Sequence, residues 1–450
     1  MTSTSIGRQA VVVGAGMGGL PAARVLADFF ERVVVLERDA LPLDASHRIG
    51  IPQGRHTHAL LAGGQQALAD LFPGFEQDLV GGGAVPVETG LDLRFERPGF
   101  EPPPTRDLGL VVRAMSRSLI ELTVRQRVKQ YSNILIREHC QVQSLVAMPD
   151  GGTVSAVRFE NNEGRSETLS ADLIVDASGR GNLVNRVLEA VGRPRPEETV
   201  IGVDITYPTA VFAVPDDAPT EWKAVATFDP PAEGGLAAVM FPLEHDRWIV
   251  TLVGRHGEKP PSDRDGFLGY AQRLRTPTIY DAIEKAEQLG EIVRFGFPAS
   301  FWRHFERLAE FPRGLLPFGD LICRFNPVYG QGMSVAAQEA RLLHELLKRH
   351  AAEPDPLAGL APAFFAESAS LIETPWALAA TPDLAHPKTV GQRPEDLQEN
   401  LDFTEALFRL AAEDPAVHKL LFEVLHLLKP QSVLSDPDLV ERVKVVAAPA

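Results

Sequence analysis

Cysteine is scarce: Cys140 and Cys323 are the only two in 450 residues. So few cysteines exclude a disulfide framework and offer no metal-ligand spacing, and a reduced compartment is the expectation. Long apolar runs are missing as well. None approaches the ~18–20 residues of a membrane span. Positive charge is in deficit, with 44 Lys and Arg against 60 Asp and Glu and a formal net charge of −16. That balance argues against nucleic acid or an anionic membrane as the main partner and serves solubility instead. The opening stretch Met1–Arg8 passes straight into an apolar strand, so no signal peptide is expected and a cytoplasmic location follows. There is no internal repeat and no low-complexity tail. What remains is ordinary for a globular protein: 44% hydrophobic and 23% charged residues, enough for two or three domains or one large interrupted one.

The most informative segment is Val11-Val12-Val13-Gly14-Ala15-Gly16-Met17-Gly18-Gly19. An apolar strand enters the spacing Gly14-x-Gly16-x-x-Gly19, a helical run from Ala22 to Phe30 follows, and a second strand ends at Val35-Leu36-Glu37-Arg38. This is the βαβ fingerprint of a dinucleotide site. Gly14 permits the tight turn, Gly16 lets the backbone approach a pyrophosphate, and Gly19 lets helix and strand pack closely. The helix N-terminus offers free N–H groups to phosphate. Glu37 is placed to accept hydrogen bonds from adenosine ribose hydroxyls. The motif alone does not separate NAD(P) from FAD, but no second Gly-x-Gly-x-x-Gly exists to form a separate nicotinamide domain.

Further along, Ala59 to Phe72 reads as a helix, residues 73–110 as Gly- and Pro-rich strands and loops, and Ser116 as the N-cap of a helix to about Gln130. Strand-like runs cover Ile134 to Glu138, Val142 to Met148 and Val154 to Phe159. A buried parallel strand ends at Asp176 and enters the glycine turn Ala177-Ser178-Gly179-Arg180-Gly181. Residues 200–300 alternate like an antiparallel sheet, with a helix near 264–275. Ser334 to His350 is an amphipathic helix, and the last hundred residues look mostly helical.

A second constellation lies far downstream. Gly319-Asp320 closes a short buried strand, and Asn326-Pro327-Val328-Tyr329-Gly330-Gln331-Gly332-Met333 enters a helix. A carboxylate at a strand end can bind a polyol such as the ribitol of a flavin. A glycine loop entering a helix can present N–H groups to the flavin N1–C2=O edge, which gains negative charge on reduction. Taken alone, these are also compatible with an ordinary glycine turn. His56 and His58 have no third ligand nearby, so a structural or substrate-lining role is expected rather than a metal site. Tyr329 could line a flavin face or simply pack. Trp222, Trp248, Trp302 and Trp376 read as core or pocket wall.

The order of Gly14/Gly16/Gly19 with Glu37, then Asp176-Ala-Ser-Gly179, then Gly319-Asp320 with the 327–333 loop resembles the group A FAD-dependent monooxygenases of the p-hydroxybenzoate hydroxylase type. The resemblance covers most of residues 8–345. It implies an α/β fold: an interrupted Rossmann-like FAD-binding domain (1–70, 115–195 and 305–345), a sheet-rich substrate domain (71–114 and 196–304) and a mostly helical C-terminal region (346–450). It implies that the ADP part lies on Gly14, Ala15, Gly16, Met17, Gly18 and Gly19 with Glu37 and Arg38. The second motif contributes Asp176, Ala177 and Gly179, Gly319 precedes the ribityl-binding Asp320, and Pro327, Gly330, Gln331, Gly332 and Met333 lie against the isoalloxazine. Arg48 and Arg117 match cofactor-contacting arginines, against the alternative of solvated surface charges.

Within that superfamily the chain is similar to the bacterial polyene epoxidases of polyether antibiotic pathways. The similar segments are His47-Arg48-x-Gly50-x-Pro52-Gln53-x-Arg55-His56-x-His58, Met115 to Gln126, Phe325 to Ser334, and Pro375-Trp376-Ala377-Leu378-Ala379-Ala380-Thr381-x-Asp383. The resemblance implies that NAD(P)H, or a separate flavin reductase, reduces bound FAD. O2 then adds to give a flavin C4a-hydroperoxide that delivers oxygen to an apolar small molecule in natural-product metabolism. Epoxidation needs no substrate deprotonation, whereas phenol hydroxylation benefits from a base. No phenol-activating network is visible, and no catalytic residue beyond the flavin site is assigned. Alternatives are a geranylgeranyl-reductase-like flavin reductase or saturase, an NAD(P) dehydrogenase, and a non-catalytic flavin-binding protein. The Trp-x-Trp-x-Ile-Pro signature of flavin-dependent halogenases is absent.

Overall fold

The computed structural model describes residues 5–48, 50–98, 102–179, 181–230 and 235–447. The N-terminal residues 1–4, together with Ile49 and Arg180 inside two of the motifs, lie outside the described residues.

Five parallel strands carry the first motif, in the order Leu315–Pro317, Leu173–Asp176, Gly7–Val13, Phe30–Leu36, Ile134–Arg137. The apolar runs of the four strands other than the edge strand Ile134–Arg137, where Leu135 is exposed, are buried on both faces, as a helix-covered parallel sheet requires. From Gly7–Val13 the chain moves outward to Phe30–Leu36 and Ile134–Arg137, then returns to the other side with Leu173–Asp176. The strand order therefore reverses between Val13 and its register partner Asp176. A crevice at the carboxyl ends of the strands is where such sheets take ligands.

The second sheet has seven strands, ordered Cys323–Arg324, Val293–His304, Glu197–Ala213, Arg247–Arg255, Ala237–Leu243, Ala224–Phe228, Leu93–Glu96. All pairings are antiparallel except the last. Period-two alternation splits its faces. Ala238, Met240, Val250 and Leu252 pack with Phe212, Trp222 and Trp248 under the helices Arg264–Ala271 and Thr278–Ile283. Ala237, Val239, Phe241, Thr251 and Val253 face the opposite way, toward a large cavity.

Residues 71–114 pack against both sheets. The helix Phe75–Gly81 was hidden among glycines, one of which (Gly74, φ +87°) caps it, and Phe75, Leu79 and Ala84 join the parallel-sheet core; Leu93–Glu96 joins the large sheet. The C-terminal region is likewise divided. Leu360, Phe364, Phe365 and Ile372 of the 26-residue helix Leu360–Ala385 pack into the first core, whereas Leu407, Leu410, Leu421 and Val443 form a cluster of their own. A third short strand, Ser166–Ser170, completes a small antiparallel sheet with Gln141–Ala147 and Val154–Glu160.

Candidate cofactor and substrate cavity

Each glycine of the first motif has a different surrounding. Gly14 has φ +98°, and a Cβ there would lie 2.9 Å from the Ala177 carbonyl oxygen. A Cβ on Gly19 would stand 1.9 Å from the Gly14 oxygen, which no side chain survives. Around Gly16 there is nothing within 4 Å of that position. Gly14, Gly16, Met17 and Gly18 line the cavity; Ala15 and Gly19 lie behind its wall.

Behind the loop is a buried charge network. Glu37, 5% exposed, accepts the Ala15 N–H at Oε2 (2.7 Å) and the Asp39 N–H at Oε1 (3.0 Å). Arg48 Nη2 meets Glu37 Oε2 at 2.8 Å, and its Nη1 donates to the Ala15 carbonyl at 3.1 Å. Glu121 stands between the two arginines, 3.6 Å from Arg48 Nη1 and 2.9 Å from Arg117 Nε. Neither arginine is a solvated surface charge. Arg117 Nη1 lies 3.2 Å from His58 Nε2. A guanidinium can only donate, so Nε2 accepts, and His58 Nδ1 carries the proton donated to the His56 carbonyl at 2.8 Å. Burial, and then the Arg117 charge, push His58 down to about 3, which keeps it neutral. Arg38, mostly exposed, lines the cavity and donates to the Gly50 carbonyl at 3.2 Å.

The second and third motifs meet across the reversal of strand order. Asp176 is fully buried behind the wall and accepts the Ser178 N–H at 3.1 Å, while burial raises its pKa. Ala177, Ser178 and Gly179 face the cavity. Asp320 is exposed to it, between two glycine turns: a Cβ on Gly332 would lie 3.5 Å from its Oδ1, and one on Gly179 3.9 Å from its Cβ. The Gly319 N–H donates to Glu339 Oε2 at 2.8 Å from beneath. Burial, reinforced by Asp320, pushes that carboxyl up to about 8.

The glycine loop after Asn326 is held from outside. Asn326 Oδ1 accepts the Val328 N–H at 3.1 Å, and its Nδ2 donates to both oxygens of Asp383 at 2.9 Å. Tyr329 Oη and Arg255 Nη1 also donate to Asp383 Oδ1, each at 2.9 Å. Burial and Asp383 push the Tyr329 phenol up, so it remains an O–H donor. Pro327, Gly330, Gln331, Gly332 and Met333 line the cavity where the 19-residue helix Gly332–His350 begins. Sequence reasoning missed Arg255, Glu339 and the role of Asp383, because none of them sits in a local spacing pattern.

The three motifs border one cavity of about 1540 Å³, with Ala15, Gly19, Glu121, Asp176, Glu339 and Asp383 behind its wall; it is above the roughly 300–1,000 Å³ of common ligand pockets. Beyond the 327–333 loop its wall turns apolar: Val239, Phe241 and Val253 from the sheet, Ala377 and Leu378 from the long helix, and Phe95 stacked on Phe408 at 5.9 Å. A hydroxyl chain Thr57–Thr251–Thr209 (2.8 and 2.6 Å) runs from this wall to His56 Nδ1 (2.7 Å), and burial lowers His56 to about 4. None of the four tryptophans lines the cavity. Among the described residues, no group of three His, Cys, Asp or Glu side chains could hold a metal ion, and no helix is long and apolar enough to cross a membrane.

No family model matches the chain. It is 34% identical to Protein Rv3254 of Mycobacterium tuberculosis over 364 residues, covering 75% of this chain and 73% of that protein. Among solved structures it is similar to the flavin-dependent brominase Bmp2, at 14% identity and TM-score 0.69 over 98% of this chain and 97% of that one. It is also similar to PqsL, a probable FAD-dependent monooxygenase from Pseudomonas aeruginosa, at 17% identity and TM-score 0.59 over 84% and 98%. At such identities the structural likeness shows the fold.

Proposed function

Because the chain belongs to the family of Protein Rv3254 and has the fold of the FAD-dependent monooxygenases of the p-hydroxybenzoate hydroxylase type, we propose that it binds FAD and inserts one oxygen atom from O2 into an apolar small molecule. Alkene epoxidation in natural-product metabolism is the reaction we favour, with hydroxylation of an electron-rich carbon as the variant. The observation that carries this reading is the single cavity that runs from the Gly14–Gly19 loop, past Asp320 and the 327–333 loop, to an apolar chamber under the large sheet.

When bound, FAD supplies the oxygen-activating redox chemistry, with NAD(P)H or a separate flavin reductase as the source of electrons. The chain's own residues bind, orient and exclude water. The open side of Gly16 fits close approach of a pyrophosphate, and the helix behind it offers N–H groups. Glu37 and Arg38 serve the adenosine end, and Arg48 and Arg117 fix the loop that meets it. Asp320 accepts hydrogen bonds from ribityl hydroxyls. The start of the helix Gly332–His350 presents N–H groups and a positive dipole end to the N1–C2=O edge. Val239, Phe241, Ala377 and Leu378 keep the chamber dry, which strengthens every polar contact inside it. Taking a phenolic proton needs a base with a free lone pair, but the His58 Nε2 lone pair is taken by Arg117 and its Nδ1–H by the His56 carbonyl. An alkene makes no such demand, which supports epoxidation.

Absorbance near about 450 nm in the purified protein reads flavin directly. Asp320→Ala is expected to lose most of the bound FAD with the fold retained by circular dichroism; full occupancy in that variant would refute the ribityl assignment. Oxygen uptake stimulated by a candidate alkene, with a product heavier by one oxygen atom, tests the reaction. A protein that takes up no FAD sinks the proposal, and product formed without O2 from reduced flavin assigns the chain to the reductases.

A further inference from the structure

We propose that Asp383, in the C-terminal helix Leu360–Ala385, is a positioning residue for the cofactor: it fixes the loop Asn326–Met333 and thereby sets the affinity and reduction potential of bound FAD. The inference rests on the FAD reading above.

The loop has little means of defining itself. It consists of one tight turn, Pro327–Tyr329, followed by Gly330 at φ +67°, and its internal side-chain bond is the Asn326 cap on Val328. Both outward-bonding side chains, Asn326 and Tyr329, end on one carboxylate, and Tyr329 also meets Arg255, the partner of that carboxylate. Asn326, fully buried, donates to both oxygens of Asp383, and Tyr329 donates to one of them. Asp383 is 1% exposed, and the large sheet supplies Arg255 as its counter-ion at 2.9 Å. Three elements distant in sequence therefore converge on a single buried group.

Tyr329 lies three residues before Gly332, where the 19-residue helix begins. If the carboxylate is lost, Asn326 and Tyr329 lose their common anchor, and the helix N-terminus is no longer held in register with the edge it faces. The Asp383–Arg255 pair is close to neutral overall, so Asp383 acts through geometry rather than through its own field. A misplaced helix N-terminus stabilises the negative charge of reduced flavin less well. The potential therefore falls as affinity falls.

The test compares four full-length proteins: wild type, Asp383→Asn, Tyr329→Phe and Arg393→Met. Arg393 holds the Leu384, His386 and Thr389 carbonyls at the end of the same helix but makes no bond to the loop, so it loosens the segment without touching the anchors. FAD dissociation constants come from flavin fluorescence, potentials from dye-coupled reduction, and thermal melts from circular dichroism. Asp383→Asn is expected to bind FAD at least tenfold more weakly. It also leaves the Arg255 cation unpaired at the cavity wall, which opposes the loss of the helix end. The potential is therefore read from Tyr329→Phe, where a threefold loss of preference for reduced flavin is a shift of about 14 mV to more negative potential for a two-electron couple. Tyr329→Phe removes one hydroxyl and no charge, is expected to lower affinity by a few fold as well, and carries the test if Asp383→Asn does not fold. Arg393→Met is expected to melt earlier with unchanged affinity and potential. A wild type that binds FAD alongside anchor variants with unchanged affinity and potential overturns the inference alone, as does an Arg393→Met variant that reproduces their shifts. A wild type that takes up no FAD overturns the cofactor reading, and the inference with it.

Discussion

Glu339 offers a test of the cavity floor that needs no cofactor. It is fully buried on the helix Gly332–His350, with Oε2 accepting the Gly319 N–H at 2.8 Å and Oε1 without a partner. Burial, and secondarily the Asp320 charge, lift its pKa from 4.5 to about 8. The sign follows from proton counting. Between pH 4.5 and about 8 the folded chain holds a proton that the unfolded chain has released, so stability falls as pH rises. The slope is about 1.4 kcal/mol per pH unit, and the loss levels off above the folded value after about 5 kcal/mol. Glu339→Gln cannot titrate, keeps an acceptor for Gly319, and nearly matches the protonated side chain in shape. Urea unfolding of the two apoproteins side by side, from pH 4.5 to 9, removes the contribution of every other group by difference. The variant is expected to match wild type at the acid end and to gain steadily, reaching several kcal/mol of extra stability at pH 8 and above. A difference that stays flat across this range, or a glutamine variant that is the less stable at pH 8, refutes the picture of a neutral buried carboxyl.

Gly16→Ala and Gly19→Ala separate binding from folding. The first meets open space and is expected to leave stability within about 0.5 kcal/mol while cutting FAD affinity at least tenfold, whereas the second, 1.9 Å from a backbone oxygen, is expected to lower the thermal midpoint severely. Arg48→Met strands the Glu37 carboxylate without its counter-ion and is expected to cost about 3–5 kcal/mol by urea unfolding and to empty the FAD site. Val239→Phe narrows the apolar chamber from the sheet side; unchanged FAD content with a KM raised about tenfold for a bulky alkene is the expected result.

What could be read in the sequence was what a local backbone constraint enforces. Gly14 and Gly19 are required by a positive φ and a near-contact with a carbonyl, both set within a few residues. Ser116 was legible as a cap because its hydroxyl accepts the Leu119 N–H three residues on, at 3.2 Å, whereas its bond to Glu244, at 2.5 Å, was not. The strands of the large sheet showed in their alternation. Groups whose meaning depends on a distant partner were not legible. Glu37 was expected to serve a ribose, and its carboxylate also clamps Ala15 and Arg48. Glu339 occupies a polar position of an amphipathic helix, and nothing nearby in sequence reveals that its side of the helix is covered. Asp383 and Arg255 are 128 residues apart, and no spacing rule brings them together.

The two ends of the cavity are built from different material, and that decides how each can vary. At the glycine end the wall is backbone held by buried charge, so a change at Gly19 or Arg48 strikes the fold and the site together. At the chamber end the wall is side chains on alternate sheet positions. Val239 and Phe241 face the cavity while Met240 between them packs into the core, so the chamber can be reshaped one position at a time without opening that core. The long helix belongs to both regimes. Ala377, Leu378 and Thr381 border the chamber, and Asp383, within two turns of them, holds the cofactor loop. Reshaping the chamber from the helix is therefore expected to shift the loop as well, whereas reshaping it from the strand Ala237–Leu243, which makes no bond to Asp383, is not. Substitution at Leu378 is expected to change substrate selectivity and the potential of bound flavin together, and substitution at Val239 to change selectivity alone, as turnover and dye-coupled reduction would show.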